Sequence, residues 1–389
     1  MTEIVKENKK SSNVPNLRFP GFTGEWEVKK LGEITTNIMY GLNQAAINFD
    51  GENQYLRITD IHEKFRIFSP NPLTSPDGEL DHKYLLNKGD ILFARTGASV
   101  GKSYLYNELD GRIFFAGFLI RFNVSFENAH FIFLQTLTEK YKKWIIAMSM
   151  RSGQPGINAE EYKLLPITIP TRNEQEKISS FMSLLEERLQ TQNKIIKQLE
   201  TLIQELRNQL IKRKRRFTDS NRRDFSDWKR VRICDILKIG NGKDYKHLQF
   251  GDVPVFGTGG FMTLVNDYIY NGETVCIGRK GTIDKPMYHN GKLWTVDTLF
   301  YTHSFKSCTP KFMFYLFQTI NWLEYNEASG VPSLSKTTIE KISIQVPSIQ
   351  EQKRIAAFLS KIDNKIQIEK EILIQLENQK KNILQQMFI

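Results

Sequence analysis

The segment "IPTRNEQEKISSF", Ile169–Phe181, returns further along the chain as "VPSIQEQKRIAAF", Val346–Phe358, at an offset of 177. The same offset relates "SGQPGI", which begins at Ser152, to "SGVPSL", which begins at Ser329. A fixed offset between similar segments is the sequence signature of an internal repeat. We therefore expect the chain to contain two copies of one structural unit.

Each copy consists of a variable block followed by a similar tail. Upstream, "GEWEVKKLGEI", ending at Ile34, is similar to "SDWKRVRICDI", ending at Ile236. The offset there is 202 rather than 177, so the first copy is the longer one. The blocks contain short strand-like runs such as "DILFA" and "ETVCIG" among turns such as "GTGG". Each block is therefore predicted to be a mixed α/β globule.

Apolar residues in both tails recur at steps of three and four, which is the period of a coiled-coil seam. The predicted seam comprises Ile178, Phe181, Leu185, Ile196, Leu199, Ile203 and Leu206 in the first tail and Ile355, Phe358, Ile362, Leu373, Leu376 and Ile383 in the second. We expect two helices, each of about 40 residues and about 60 Å, paired antiparallel within the chain. Packing of each helix on its own block alone is the weaker alternative, because such a helix outruns a globule of about 150 residues.

These features predict an α+β protein with a pseudo-twofold internal repeat. The expected segments are a flexible N-terminal tail, 1–16, a first block, 17–170, a central helix, 171–216, a second block, 217–347, and a distal helix, 348–389. The N-terminus lacks the apolar region of a signal peptide, and no run approaches the ~18 apolar residues of a membrane helix. We therefore expect a cytoplasmic protein.

The net charge of the chain is +11, which favours an anionic partner. Much of the excess lies between Arg207 and Arg232, where eleven Lys or Arg residues face three Asp residues, with "KRKRR", Lys212–Arg216, at the centre. The alternative is that a basic run after a helix only complements the helix dipole and stays solvated.

The stretch "RTGASVGKS", Arg95–Ser103, resembles the phosphate loop of a nucleotide hydrolase. That loop requires G-x-x-x-x-G-K-[ST], and Thr96 stands where the first Gly should be. The second copy has "GRKGTIDKP" at this place, which keeps an Arg, a Gly and a later Lys but loses Gly-Lys-Ser. The shared part predicts a cationic hairpin that faces DNA, where Arg pairs with phosphate or guanine. The alternative is a hairpin whose cations are merely solvated.

Candidate DNA contacts share a position on predicted loops and a side chain with a hydrogen-bond donor or an aromatic ring. They are Tyr40, Asn43, Arg57, Arg95, Thr96, Lys102, Arg151 and Gln154 in the first block and Lys243, Tyr245, Lys246, His247, Thr258, Arg279, Lys280 and Lys285 in the second. The six His and three Cys residues form no metal-binding or nucleophilic pattern. No catalytic and no metal-binding residues are predicted.

Nearly the whole chain, from about Leu17 to Ile389, resembles the specificity subunit of type I restriction–modification enzymes. The resemblance rests on "IPTRNEQEKISSF" and "VPSIQEQKRIAAF", which look like the start of that family's conserved helices. It rests further on "FPGFTGEWEVKKLGEI", "GDILFARTG" and "DVPVFGTGG", which look like its target-recognition domains.

The resemblance implies that each block binds one half of a bipartite DNA target and that the paired helices act as a ruler. It also implies two modification subunits that carry S-adenosylmethionine and methylate adenine, and restriction subunits, where present, that use ATP and Mg. This chain itself is expected to bind no cofactor and to be non-catalytic, with its partners on exposed faces of the helices. Two other classes remain open: a coiled-coil scaffold with non-specific DNA affinity, and an enzyme, either a P-loop ATPase or a stand-alone nuclease.

Overall fold

The computed structural model describes residues 13–150 and 154–389, which fall into two compact units. The first unit runs to Thr191 and includes Leu373–Ile389, whereas the second is Gln192–Ile372. Each unit mixes helices and strands, as the sequence predicts. None of the helices within the described ranges has the length and apolar character needed to span a membrane.

An antiparallel four-stranded sheet, in the order β2-β9-β6-β7, is the centre of the first unit. The strands of this unit are β1 (Glu27–Lys30), β2 (Thr35–Tyr40), β3 (Ala46–Asn48), β4 (Gln54–Leu56), β5 (Thr74–Pro76), β6 (Asp90–Ala94), β7 (Ser103–Leu105), β8 (Ile113–Phe115), β9 (Leu119–Val124) and β10 (Pro166–Ile169). The helices are α1 (Ala129–Gln135), α2 (Glu139–Ser149), α3 (Ala159–Lys163) and the first part of α4 (Arg172–Ile211). All five residues of β6 are buried, because helices and loops cover both faces of this strand.

The second unit is built on a six-stranded sheet in the order β12-β17-β15-β16-β13-β14. Its elements are β11 (Lys229–Arg232), α5 (Ile233–Ile236), β12 (Lys238–Asn241), β13 (Val253–Gly257), β14 (Gly260–Val265), β15 (Tyr270–Gly278), β16 (Met287–Thr295), β17 (Leu299–His303), α6 (Pro310–Phe317), α7 (Lys336–Lys341), β18 (Ser343–Val346) and the first part of α8 (Ile349–Met387). Helix α6 packs on β15 and β16, and its buried aromatic residues Phe312, Tyr315 and Phe317 belong to the main apolar core.

A short antiparallel strand pair closes each unit next to its long helix. Strand β1 pairs with β10, and β11 pairs with β18. The registers are equivalent: Val28 is opposite Thr168, and Arg230 is opposite Gln345, as the repeat offsets of 202 and 177 require. The first and last strands of each block therefore meet where the helix begins.

The repeated "EQ" dipeptide anchors each block to the start of its long helix. In the first unit, Glu174 pairs with Arg18 (Oε1 to Nε, 2.7 Å), and the side chain of Gln175 bonds the carbonyl of Pro170 and the N–H of Asn128, the N-cap of α1. Both Glu174 and Gln175 are at most 1% exposed. A buried carboxylate and a buried amide with these partners fix the angle at which the chain enters the helix.

The same anchor recurs at the equivalent position of the second unit. Glu351 pairs with Arg216 (Oε2 to Nη2, 2.9 Å), and Gln352 bonds the carbonyls of Pro347 and Ser307 and the N–H of Thr309, the N-cap of α6. Both helices thus start on one hydrogen-bond pattern, which explains why this segment is the part of the sequence that repeats most clearly.

The long helices run antiparallel in both units. In the first, Glu186 of α4 lies between Lys380 of α8 (2.6 Å) and His130 (3.1 Å). Burial alone raises the pKa of the Glu186 carboxyl, but His130 and Lys380 outweigh it, so the pKa is lowered. In the second, Gln192 donates to the backbone carbonyl of Glu369 (3.0 Å) and to its carboxylate. These two buried residues occupy equivalent repeat positions, so the helices cross there with local twofold symmetry.

Predicted seam residues differ in their surroundings. Ile178, Ile196, Ile203, Ile355 and Leu376 are buried, and Leu185, Leu199, Leu206, Ile362, Leu373 and Ile383 are partly buried. Phe181 and Phe358 do not fit the prediction, since both are 37% exposed. Their rings instead contact Phe19 (5.7 Å) and Phe217 (5.5 Å), which follow the anchoring arginines. The first turns of each long helix therefore pack against its own recognition block. The two long helices pair with each other further along their length.

Candidate nucleic-acid interface

Each unit presents an arginine at the end of a buried strand. Arg95 follows β6, and Arg279 follows β15. Both strands then enter a tight turn in which the Gly two residues after the arginine has a left-handed backbone, with φ of +71° at Gly97 and +93° at Gly281. A side chain is strained in that conformation, so the sequence uses glycine to turn the chain beside the arginine.

A second loop braces this turn in the same way in both units. The N–H of Gly97 donates to the carbonyl of Pro155 (3.0 Å), and the N–H of Ile157 donates to that of Arg95 (2.9 Å). In the second unit Gly281 donates to Pro332 (2.8 Å) and Leu334 to Arg279 (2.9 Å). The bracing residues of the two units are related by the repeat offset. Pro155 and Ile157, with their counterparts Pro332 and Leu334, therefore hold the arginine turn.

The guanidinium group of Arg95 lies against two aromatic rings. It is 5.1 Å from the ring of Tyr40 and 5.7 Å from that of Phe118, which is 60% exposed. Its Nε donates to the carbonyl of Gly117 (3.0 Å), and the Tyr40 hydroxyl accepts from the N–H of Ala159 (3.0 Å). Within the described residues the two Nη groups of this partly exposed side chain make no hydrogen bond, so a preorganised pair of donors has no protein partner there. Such a pair fits guanine O6 and N7 or a phosphate.

Other candidate residues of the first unit surround Arg95. The Nε2 atom of Gln154 lies 3.0 Å from where a Cβ on Gly97 would be, and Thr96 forms a β-bridge with Gly156. Asn43 is exposed, and its side chain lies against Gly117. The structure thus brings Tyr40, Asn43, Arg95, Thr96 and Gln154 together, although separate segments of the chain contribute them.

Two cations predicted to contact DNA are engaged within the protein. The side chain of Lys102 is only 8% exposed, and its Nζ pairs with Oε2 of Glu63 (2.7 Å), which lowers the pKa of that carboxyl. Both Nε and Nη2 of Arg57 bind the carboxylate of Asp60 at 2.8 Å. Lys102 and Arg57 are therefore not the free donors that the sequence analysis expects, and their contact with DNA stays a prediction. Arg151 lies outside the described residues.

The loop after Arg95 also lacks the geometry of a phosphate loop. Phosphate loops lead into the N-terminus of a helix. Here Ser103 begins strand β7, and its hydroxyl bonds that of Thr136 (2.7 Å). The P-loop ATPase alternative therefore fails on local structure.

In the second unit Arg279 and Lys280 are both exposed. Arg279 is 5.9 Å from the ring of Phe300 and reaches the carbonyl of Asp297 through Nη1 (3.4 Å), while Thr258 lies against Gly281. Lys285 is exposed as well, on the loop that leads to β16. Arg279 lacks the aromatic pair that holds Arg95, so the two turns present their cations in different environments.

The remaining predicted residues of this unit lie on one loop between β12 and β13. Lys243, Lys246 and His247 are exposed, whereas the ring of Tyr245 packs against the apolar cluster around Trp294. The indole N–H of Trp294 donates to the carbonyl of Lys243 (2.9 Å), and His247 contacts the same ring. Trp294 thus fixes this loop, with two lysines and a histidine facing solvent.

Several exposed apolar residues, most of them aromatic, were missed by the sequence analysis. Phe118 lies within "RIFFAGFLIRF", which reads as one strand, but the structure breaks it at Gly117. Phe250, Phe261 and Met262 are 81%, 61% and 49% exposed in the second unit. A glycine inside or beside an apolar run was the available signal, because it marks a turn that leaves the next side chain outside.

No cluster of His, Cys, Asp or Glu suited to a metal ion occurs in the described ranges 13–150 and 154–389. The family described as "Type I restriction modification DNA specificity domain" matches residues 23–201 and 225–378, which together are most of the chain. The chain belongs to this family. It is a DNA sequence-specificity subunit with two target-recognition domains, one in each unit. Specificity subunits are the non-catalytic components of type I systems.

Relatives of similar length support this assignment. Two of Methanocaldococcus jannaschii, named as the MjaX and MjaVIII specificity subunits, are 23% and 22% identical, and the alignments cover 98% of this chain and 97% and 96% of theirs. A crystal structure of the S subunit from M. genitalium has a TM-score of 0.64 at 18% identity and covers 97% of this chain and 99% of that one.

A chain from a study of complex assembly and conformational transition of the type I system has a TM-score of 0.56 at 16% identity, covering 93% of this chain and 97% of its own. The α+β class, with two repeated recognition domains and long paired helices, is thereby confirmed. The specificity subunit works within an assembly that binds DNA.

Proposed function

We propose that this specificity subunit reads a bipartite target, with each recognition domain binding one half-site through its braced arginine turn. The observation that carries the proposal is the equivalent pair of hydrogen bonds that holds Arg95 and Arg279 in the two domains. The brace repeats, while the side chains around the arginines differ. A fixed frame with variable side chains suits two domains that read different bases.

The long helices set the distance between the half-sites in this proposal. Helix α4 has 40 residues, which corresponds to about 60 Å, or under two turns of duplex at about 34 Å each. A rigid helix pair fixes the number of base pairs between the two half-sites, because neither domain can slide along the duplex independently. A spacer of constant length in the target is the expected signature.

Two modification subunits bind the outer faces of the long helices in this proposal. Apolar side chains on those faces support it: Leu184, Ile195 and Leu202 of α4 and Ile368 and Ile374 of α8 are between 36% and 65% exposed. Exposed apolar residues on a helix favour docking of partner helices. The partners supply S-adenosylmethionine for adenine methylation, and restriction subunits, where present, supply ATP- and Mg-dependent cleavage.

Methylated adenines in DNA from cells that express this chain with its modification subunit test the whole proposal. We expect one bipartite motif with a spacer of constant length. A scaffold with non-specific DNA affinity predicts no common motif, and methylation at a single continuous motif contradicts the assignment of one half-site to each domain.

Replacing Arg95 by Ala is expected to lower the affinity of the assembled complex for its target by about 10- to 100-fold, because a bidentate base contact is worth about 1–3 kcal/mol. The loss should vanish on a duplex whose first half-site is scrambled, while Arg279→Ala should behave in the same way for the second half-site. Competition binding with the two half-scrambled duplexes measures both. Arg112→Ala is the matched control, since Arg112 already faces Glu52 (3.7 Å). Equal losses on all duplexes would show that the arginines bind only phosphate.

A further inference from the structure

The longest uninterrupted run of cations in the sequence lies outside both arginine turns. It belongs to the segment Lys212–Arg223, here called the basic turn, which links α4 to the second recognition domain and contains seven cations and one carboxylate. Arg216 anchors α8 through Glu351 and is accounted for by the fold. The other six cations are all exposed and form no ion pair with any described residue: Lys212, Arg213, Lys214, Arg215, Arg222 and Arg223.

The internal repeat provides a control for what the fold itself requires. Arg18–Phe19 of the first unit corresponds to Arg216–Phe217, and both pairs make the same Glu and Phe contacts. The four residues before Arg18 are Val14–Leu17, none of which is charged, whereas the four before Arg216 are all cations. Anchoring of the long helix therefore does not need the extra charges.

Helix capping does not account for the charges either. Helix α8 is nearly as long as α4 and, like α4, has no basic residue in its last turn. The dipole acts within the last turn of a helix, and most of the cations that follow α4 lie beyond that range.

Backbone conformation gives a second, independent indication. Arg213 and Arg222 adopt left-handed φ values of 58° and 60°. Gly and Asn are the residues that suit such positions, including the position just after a helix. The chain places arginine at both, so cationic side chains are kept where the backbone disfavours them. The backbone N–H groups of Arg213 and Arg222 close local turns, but neither side chain forms an ion pair with a described residue, so the choice of arginine at these two positions favours a ligand.

The chemistry of the surface favours a polyanion over a protein partner. Protein interfaces are centred on apolar or aromatic anchors. No large apolar side chain of the described chain is exposed between residues 203 and 249, and Phe217 packs against Phe358. Six unpaired cations without an anchor match a row of phosphates.

We propose that the basic turn binds the phosphate backbone of duplex DNA, independently of sequence and once per chain. The inference rests on the proposed function, because it adds a contact outside the bases that the recognition domains read. An otherwise repeated subunit thereby gains one asymmetric contact. It gives the complex non-specific affinity, which lets it hold DNA before the target is reached.

The test neutralises three of the cations in the assembled complex with its modification subunits. We expect K212Q/K214Q/R215Q to reduce the slope of log affinity against log salt by about 2–3, because each phosphate contact contributes about 0.9. The fall should be equal for the target and for a scrambled duplex, leaving their ratio unchanged. The control K140Q/K142Q/K143Q makes the same change of net charge on exposed residues of α2 and should leave the slope unaltered.

A second variant tests the proposal in case the first variant does not fold. R213N/R222N removes two charges at positions where Asn fits the backbone, so it should fold at least as well and still reduce the slope by about 2. An unchanged slope, or an equal fall in the α2 control, would overturn the proposal. So would loss of the modification subunits on gel filtration, which would identify the turn as a docking site for an acidic protein. Failure of the proposed function is a separate result: the unaltered complex would bind target and scrambled DNA equally, whatever the slopes.

Discussion

Replacing Gln352 by Leu is expected to lower the free energy of unfolding of the second unit by about 2–4 kcal/mol, because three backbone groups lose their hydrogen-bond partner. These are the N–H of Thr309 and the carbonyls of Ser307 and Pro347. Leucine has a similar volume but can satisfy none of them. Hydrogen exchange of the α6 peptides in increasing urea measures the change where it arises.

The internal repeat supplies both a replicate and a control. Gln175→Leu should cost a similar amount in the first unit, since Gln175 bonds Asn128 and Pro170 in the same way. Gln198→Leu, on an exposed face of α4, should stay within about 0.5 kcal/mol. Protection of α6 that is equal in Gln352→Leu and Gln198→Leu would show that the anchor contributes little.

Residues 1–216, expressed alone, are expected to form a symmetric dimer. The truncation uncovers Ile203 and Leu210, which belong to the buried core of the second unit. Gln192, whose contact in the intact chain is the equivalent residue Glu369, would then meet its own copy. Two amides can satisfy each other, so the central contact survives in the dimer. Light scattering that shows a folded monomer at micromolar concentration would contradict this expectation.

Residues 212–389, which retain the anchoring Arg216, should dimerise poorly at neutral pH, because Glu369 would then meet Glu369. In the intact chain hydrogen bonds from Lys365 and Gln192 lower the pKa of this carboxyl. In the dimer a second carboxylate replaces Gln192, and like charges raise the pKa. A raised pKa means that the dimer binds more protons than the separated chains, so association strengthens as the pH falls and is lost as it rises. Sedimentation at several pH values measures this, and Glu369→Gln should restore association at neutral pH.

The architecture could be predicted from the sequence because the sequence contains two copies of one structural unit. A single repeat offset revealed the repeated unit, and helical periodicity revealed the long helices. The structure adds the reason for the repeat: Glu174 and Gln175, with their counterparts Glu351 and Gln352, are buried in one hydrogen-bond pattern. The periodicity of apolar residues indicates which side chains are buried. It does not indicate which polar side chains are buried together with hydrogen-bond partners. The anchor was therefore visible in the sequence only as similarity.

The loops could be predicted only in part. Arg95 and its brace lie in segments that both copies retain, so comparison of the copies found them. The partner of Lys102 could not be found in that way. The stretch from Ile34 to Arg95 is longer than its counterpart from Ile236 to Arg279, and Glu63 lies in this longer region of the first copy. A lysine or arginine on a predicted loop is taken to have no ion-pair partner unless the structure of the neighbouring loop is known.

The anchor at the start of each long helix also has a genetic consequence. Its partners Arg18, Asn128 and Pro170 all belong to the recognition domain that precedes the helix, so a crossover within the codons for Pro170–Ser179 in one gene and its equivalent in another would exchange a whole domain with its junction intact. The recombinant would keep its helices and acquire a new half-site. A population of such genes could reach a number of targets that grows as the product of its available domains, whereas point mutation of a reading loop alters one half-site at a time.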